Sequence, residues 1–229
     1  PRLNMVMNSI HALMDQEYSG DINIVPGFNW YNPAKLISHL SENDLIDLME
    51  GVEDIPGIVL DEGLKWDWES FPEFLDALEN QPRAIDIAAQ MPHHPLRVYV
   101  MGQRGADREP ATADDIALMQ KLTTEAMKAG ALGLTSSRTL NHRSSKGAPT
   151  PSLKAEVNEL MGLANAMKHA GRGVFEMISD FDDFEDEFSI LRGMVEHSGR
   201  PMSISLAQGL SPNGWKKILA RIAKATDDG

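Results

Sequence analysis

Cysteine is absent from the 229-residue sequence, which excludes disulfides, thiolate metal ligands and cysteine nucleophiles. Long apolar runs are missing too. No stretch approaches the roughly 20 residues that span a bilayer, and the first residues carry no basic-then-apolar signal pattern. Positive charge is scarce: 21 Lys and Arg stand against 34 Asp and Glu, a formal net charge of −13. So acidic a surface repels phosphate backbones and anionic lipid, which argues against nucleic acid and membrane surfaces as partners. There is no phosphate-binding glycine loop, zinc-spacing motif or nucleophile elbow. A soluble, cytoplasmic protein is the expectation.

What is present is ordinary for a globular domain, 42% hydrophobic and 24% charged, arranged in a recurring unit of amphipathic helix, glycine and short apolar strand. The first full copy opens at Thr112, an N-cap residue with Asp114 and Asp115 in the first turn, and buries Ile116, Met119, Ala126 and Met127. Gly130 stops it and Ala131–Ser136 reads as its strand. In the second copy Val157, Leu160, Met161 and Ala164 form the helix-period stripe, Gly171 the stop and Val174–Ile178 the strand. The third has Phe184, Phe188, Leu191 and Val195, then Gly199, then a strand over Met202–Ala207. A further helix carries Trp215, Ile218, Leu219 and Ile222. Upstream, a helix over Phe71–Glu79 precedes a strand over Ile85–Gln90. Helices alternating with short apolar strands predict parallel pairing, with every strand C-terminus at one end. Too few strands are visible to close a barrel of eight, so the expected fold is α/β, a partial (β/α)8 TIM barrel. Residues 1–40 form a segment of uncertain status, with a possible helix over Asn4–Gln16 and a possible strand over Ile22–Val25; residues 41–229 form the partial barrel.

Helix-to-strand turns are tight, whereas two strand-to-helix connections, Met91–Ala111 and Ser137–Pro151, are long. Long connections in compact domains are usually functional. His169 and His197 sit two residues before a stop glycine, where a donor satisfies terminal carbonyls. His11 and His39 are unassigned. His93 and His94, in P-H-H-P, either mark a proline-bounded surface turn or belong to the site. The run S-S-R-T-L-N-H-R-S-S gathers Arg138, His142 and Arg143 among hydroxyls, either as a solvated loop or as an anion pocket, since arginine forks suit carboxylates. The acidic run Asp180–Glu187 opens a helix and answers its dipole, with Asp180 nearest the strand end. Glu176 lies inside a strand and points opposite to Phe175 and Met177.

From Leu45 onward the chain resembles the D-aminoacylase (N-acyl-D-amino-acid deacylase) branch of the amidohydrolase superfamily. The carrying segments are L-I-D-L-M-E-G-V-E-D-I-P-G, W-D-W-E-S-F-P-E-F-L-D-A-L-E, R-V-Y-V-M-G, R-E-P-A-T-A-D-D-I, A-G-A-L-G-L-T-S-S-R-T-L-N-H-R and R-P-M-S-I-S-L-A-Q, in consistent order over about four-fifths of the chain. The resemblance implies a metal-dependent barrel of amidohydrolase type, zinc in the complete enzyme, and hydrolysis of an N-acyl amino acid or related amide to a D-amino acid and a carboxylic acid. It also implies ligands that this sequence does not show. Pro26–Phe28 approaches the usual H-x-H, but N-W-Y-N-P follows. The asparagine-cysteine-glycine turn is missing, and the late aspartate is expected beyond Gly229. Two strands that often end in ligand histidines read F-E-M-I-S-D and S-I-S-L-A-Q. The expectation is an incomplete metal site, no metal ligand assignable in this chain, and a chain inactive by itself. Arg138, His142 and Arg143, with His93, are left as substrate-holding candidates. The alternative is a non-catalytic barrel remnant that binds an anionic small molecule.

Overall fold

Side-chain caps set where three of the helices begin, and glycines set where several of them end. Ser70 opens α1 (Phe71–Glu79) with a capping box: its Oγ accepts from the Glu73 amide, while the Glu73 carboxylate accepts from the Ser70 amide at 2.8 Å. Thr112 and Asp115 do the same for α4 (Ala113–Ala129), which stops at Gly130. Helix α5 (Val157–Ala170) ends at Gly171 and α6 (Phe184–Ser198) at Gly199, both left-handed with φ of 68° and 65°. Asp183 caps α6, and Glu185, Asp186 and Glu187 fill its first turn, as the acidic run predicted.

The computed structural model describes residues 68–82, 84–206 and 212–228, the strand Ile22–Val25, and single positions 50, 56 and 58. The expected helix Asn4–Gln16, the F-N-W-Y-N-P cluster, His11, His39 and Ala207 lie outside the described residues. Among the described residues the strands are β1 (Ile22–Val25), β2 (Asp86–Ala89), β3 (Met91–Pro92), β4 (Gly133–Arg138), β5 (Val174–Ser179) and β6 (Met202–Ser205). The remaining helices are α2 (His93–Met101), α3 (Gln103–Ala106) and α7 (Gly214–Asp228). No described helix is long and apolar enough to cross a membrane.

All strand pairs are parallel: β1 with β2, and β3, β4, β5 and β6 in that order. The strands near Leu134, Glu176 and Ile204 are parallel neighbours in that order, whereas the strand near Ile87 pairs with β1 in a separate two-stranded sheet. Residues 86–92 run as one path interrupted at Gln90, whose first half pairs with β1 and whose end, Met91–Pro92, pairs with Leu134 and Thr135. The Leu132 amide bridges the interruption by donating to the Ala89 carbonyl at 2.9 Å. Parallel strands joined through helices make a partial (β/α)8 barrel.

Register sorts the side chains into two faces. Met91, Leu134, Phe175 and Met202 are register partners and face the helices. There Leu134, Phe175 and Met177 pack with Met119 and Met127 of α4 and Leu160, Leu163 and Met167 of α5, all at most 1% exposed. Each such side chain contributes about 1.5–3 kcal/mol by leaving water. The next row, Pro92, Thr135, Glu176 and Ser203, turns to the inner face, followed two residues on by Ser137, Ile178 and Ser205. One close approach explains a glycine in β4: a Cβ on Gly133 would lie 1.8 Å from the Val174 carbonyl oxygen.

The Met91–Ala111 connection differs from its expectation as a loop. Most of it is helical, α2 and α3, because Pro95 occupies the third position of α2, within the first turn, where no intrahelical N–H bond is needed. The other long connection starts later than expected, because Ser137 and Arg138 complete β4.

Candidate functional site

The polar side chains of the strand C-terminal ends fall into three groups, and they differ in what they have left to offer. The first is wholly buried. His93 starts α2 directly after β3 and is 0% exposed, with Nδ1 2.8 Å from Ser136 Oγ and Nε2 2.7 Å from Glu159 Oε1. Arg97, one turn on and also 0% exposed, brings Nε to 3.1 Å of the same Glu159 oxygen. Its Nη1 donates to the Pro151 carbonyl at 2.9 Å and its Nη2 to the Glu109 carbonyl at 2.5 Å. This network ties α2, β4 and α5 together on the helix side of the sheet. Breaking such a buried ion pair by removing one partner costs about 3–5 kcal/mol. His93 therefore fixes the wall, and its ring nitrogens are both engaged.

Sequence reasoning passed over Glu159, Arg97 and Ser136. A signal was there for Glu159, which lies one turn before Leu163 on the buried stripe of α5, a position where a carboxylate needs a partner.

The second group builds the rim. Arg138, the last residue of β4, grips Glu187 of α6 with Nε to Oε1 at 2.6 Å and Nη2 to Oε2 at 3.0 Å, while Nη1 donates to the Ala155 carbonyl at 2.8 Å. Asp180 accepts from Thr139 Oγ1 and, at 2.7 Å, from the Leu140 amide. Ser152 Oγ donates to the Ser137 carbonyl at 2.8 Å, and Arg108 Nη1 to the Pro149 carbonyl at 2.9 Å. The connection after β4 is thus pinned along its length. Its outermost part is a small hairpin in which Arg143 and Pro149 form an antiparallel bridge, and Arg143 Nη1 donates to the Gly147 carbonyl at 3.0 Å. Arg143 is exposed, and the half-buried His142 has Nδ1 2.8 Å from Ser137 Oγ.

Arg138, His142 and Arg143 therefore share one pinned connection, but they are not equivalent. Arg138 has all of its described donors on Glu187 and Ala155, whereas Arg143 faces solvent. His94, beside His93 at the start of α2, is half-buried and remains neutral. Desolvation pushes its pKa down to about 3 from the ordinary 6.5, with the nearby His93 and His142 adding to the effect.

The third group lies on the inner face. Glu176 is half-buried between Phe175 and Met177, which turn to the core, and burial raises its carboxyl pKa. At the interruption between β2 and β3, Gln90 is 3% exposed, and its side-chain oxygen has no hydrogen-bond partner among the described residues.

Among the described residues, no three His, Asp or Glu side chains converge to hold a metal ion. By themselves the described residues do not assemble a complete metal site.

Comparison with known proteins places this geometry. Over 76 residues, 33% of the chain and 15% of the relative, the sequence is 40% identical to the D-aminoacylase of Alcaligenes xylosoxydans xylosoxydans. An uncharacterised protein of Mycobacterium tuberculosis is 26% identical over 153 residues, which cover 63% of the chain and 25% of that protein. Among solved structures, a D-aminoacylase studied for its binuclear metal centre superposes with a TM-score of 0.62 at 22% identity, over 91% of this chain and 45% of that one. A second, described as defining a novel subset of amidohydrolases, gives 0.60 at the same identity and coverage. The chain thus spans less than half of the solved structures and at most a quarter of these sequence relatives. The likeness in fold agrees with the parallel sheet and its partial-barrel topology. The sequence model of the Amidohydrolase family matches residues 8–226, nearly the whole chain, and the chain belongs to that family.

Proposed function

We propose that the protein containing this chain is a metal-dependent hydrolase of non-peptide amide bonds, of the N-acyl-D-amino-acid deacylase kind. The observation that carries the reading is the 76-residue segment 40% identical to a D-aminoacylase, set in a chain of the Amidohydrolase family. Zinc is the proposed metal, and its ligands are to be sought outside the described residues, since these supply no donor set. A divalent metal in such a barrel lowers the pKa of bound water and polarises the amide carbonyl.

His142 and Arg143 are the proposed contacts for the substrate carboxylate. The support is their position after a strand C-terminus, on the connection that leaves β4, and the exposure of Arg143 on a chain of net charge −13. Arg138 and His93 serve this site through what they hold: Arg138 the connection and α6, His93 the start of α2.

A second reading is a barrel that binds an anionic small molecule without catalysis, and the sequence favours it where N-W-Y-N-P stands in place of the H-x-H that the resemblance implies. Metal analysis of the longest form of the protein containing these residues separates the two. A hydrolase purifies with, or takes up, about one or two divalent ions per chain and loses turnover to a chelator. A binder needs neither.

A further inference from the structure

Asp180 opens the acidic run but does not serve the helix that the rest of the run begins. Helix α6 starts at Phe184, with Asp183 as its cap and Glu185, Asp186 and Glu187 in its first turn. Asp180 instead follows the last residue of β5, one position beyond the ladder in which Arg138 pairs with Ser179. Its amide donates to the Arg138 carbonyl at 3.4 Å, so the two chains stay side by side where the ladder ends. The next residue, Phe181, takes a left-handed φ of 54°, which a bulky side chain rarely adopts. Ser179 Oγ holds that turn by accepting from the Phe181 amide at 3.1 Å, and the Phe181 ring lies 5.9 Å from that of Phe184. The sharp turn sends the Phe181 ring into the core beside α6 and leaves the Asp180 carboxylate facing the connection that leaves β4.

That carboxylate is a two-point clasp. One oxygen accepts from the Thr139 hydroxyl, and the other from the Leu140 amide at 2.7 Å. Thr139 is 0% exposed, and its Oγ1 also accepts from the Asn141 amide at 3.1 Å. Three successive residues are thus tied to one carboxylate, directly or through one hydroxyl. A threonine that accepts from the amide two residues on closes a tight turn. The chain leaves this turn at His142, whose Nδ1 lies 2.8 Å from Ser137 Oγ. Ser137 is on the inner face and buried, and its own carbonyl accepts from Ser152 Oγ. The turn therefore brings His142 back over the end of the strand that the chain has just left.

We propose that Asp180 is a positioning residue for substrate recognition: its clasp on Thr139 and Leu140 keeps the turn closed and holds His142 over the inner face, where His142 meets the substrate carboxylate. The proposal rests on the deacylase reading and on the carboxylate contact assigned above. Asp180 touches no reacting atom and moves no proton. Its effect is on binding. With the clasp open, the turn from Thr139 to His142 must be ordered each time substrate binds, and the ordering entropy lowers affinity. A substrate with a free carboxylate, which uses His142, loses that affinity. A carboxamide analogue, with one acceptor oxygen and no charge, loses little. Bonds from an amide and a hydroxyl to an ionised carboxylate are about twice as strong as neutral ones, so an Asn side chain does not replace the clasp in full.

The test compares wild type with Asp180→Ala, Asp180→Asn, Thr139→Val and Thr139→Ser in the longest form of the protein containing residues 1–229. KM and kcat are measured on N-acetyl amino acids and on their carboxamide analogues. Asp180→Ala and Thr139→Val are expected to raise KM for the acids by about 10-fold or more, with kcat within about threefold of wild type and KM for the carboxamides nearly unchanged. Asp180→Asn, which keeps one acceptor, is expected to fall between. Thr139→Ser, which keeps the hydroxyl, is expected to restore the KM. Losses of equal size on acids and carboxamides overturn the proposal, because the clasp then only supports the fold. So does a KM for the acids within about twofold of wild type in Asp180→Ala. Should Asp180→Ala fail to fold, Thr139→Val and Thr139→Ser with the same KM for the acids overturn it equally. If the wild type is active and His142→Ala leaves its preference between acids and carboxamides unchanged, the contact and this proposal fall while the deacylase reading stands. A wild type that cleaves no amide in the panel overturns the deacylase reading, and this proposal with it.

Discussion

Arg138 and Glu187 meet as two parallel forks, Nε to Oε1 at 2.6 Å and Nη2 to Oε2 at 3.0 Å, with 14% and 12% of their side chains exposed. The pair joins the end of β4 to the first turn of α6, and the same guanidinium holds the Ala155 carbonyl. Arg138→Lys keeps the charge but cannot reproduce the fork. Both Arg138→Lys and Arg138→Ala are expected to lower stability, by about 1–3 kcal/mol, read from urea midpoints. Lys equal to wild type would show that charge alone suffices.

The Glu159 hub makes a stronger demand. Glu159→Leu leaves Arg97 buried without its carboxylate and takes the partner from His93 Nε2. A loss of about 3–5 kcal/mol is expected in equilibrium denaturation. A change below about 1 kcal/mol would show that water enters the network and replaces the carboxylate.

Stability should depend on pH through His94. Its folded pKa, about 3, lies below the unfolded value of 6.5, so the neutral ring favours the native state fully above pH 6.5. That support is withdrawn as pH falls from 6.5 toward 3, where the unfolded chain takes up a proton that the folded one refuses. His94→Gln is expected to flatten the acid side of a stability-against-pH curve in this window, by up to about 1.4 kcal/mol per pH unit. Parallel curves for wild type and variant would contradict it.

Two glycines should respond to alanine by very different amounts. Gly133→Ala drives a methyl into the Val174 carbonyl at 1.8 Å, and the rigid ladder of β4 and β5 gives no room. It is expected to cost about 3 kcal/mol or more, or to abolish folding. Gly147 has a φ of +83° but nothing within 4 Å, so Gly147→Ala is expected to cost only about 1 kcal/mol of backbone strain. Thermal midpoints of the two variants test the contrast.

Much of this fold was legible because helix stripes, caps and stop glycines are local signals: Phe71–Glu79, the Thr112 cap, and the stops at Gly130, Gly171 and Gly199 all appear as read. The helix over His93–Met101 was not legible, because P-H-H-P looks like a turn until Pro95 is seen to occupy a first turn that needs no N–H bond. Glu176 was placed correctly on the face opposite Phe175 and Met177 by strand alternation alone. The partners of Arg138 and His93 were hidden for another reason. Glu187 lies 49 residues from Arg138 and Glu159 lies 66 from His93, and only the packed helix layer brings them together.

Arg143 tests the substrate contact. A charged hydrogen bond to a carboxylate contributes about 1.5–3 kcal/mol, which at 1.4 kcal/mol per factor of ten is roughly 10- to 150-fold in kcat/KM. In the longest form of the protein, Arg143→Ala is expected to lose this factor on N-acyl amino acids but not on their carboxamide analogues. Equal losses on both would rule out the carboxylate contact, and no loss on either would make Arg143 a surface residue.

Release of free D-amino acid from N-acetyl-D-amino acids is the measurement that bears most directly on the central claim. The longest form of the protein containing residues 1–229 would be stripped with a chelator and then supplied with zinc. The account expects no release after stripping, restored release with zinc, and little or none from the L-enantiomers. Sustained release without metal would contradict the metal-dependent reading, and no release from any N-acyl amino acid with zinc bound would contradict the deacylase reading itself.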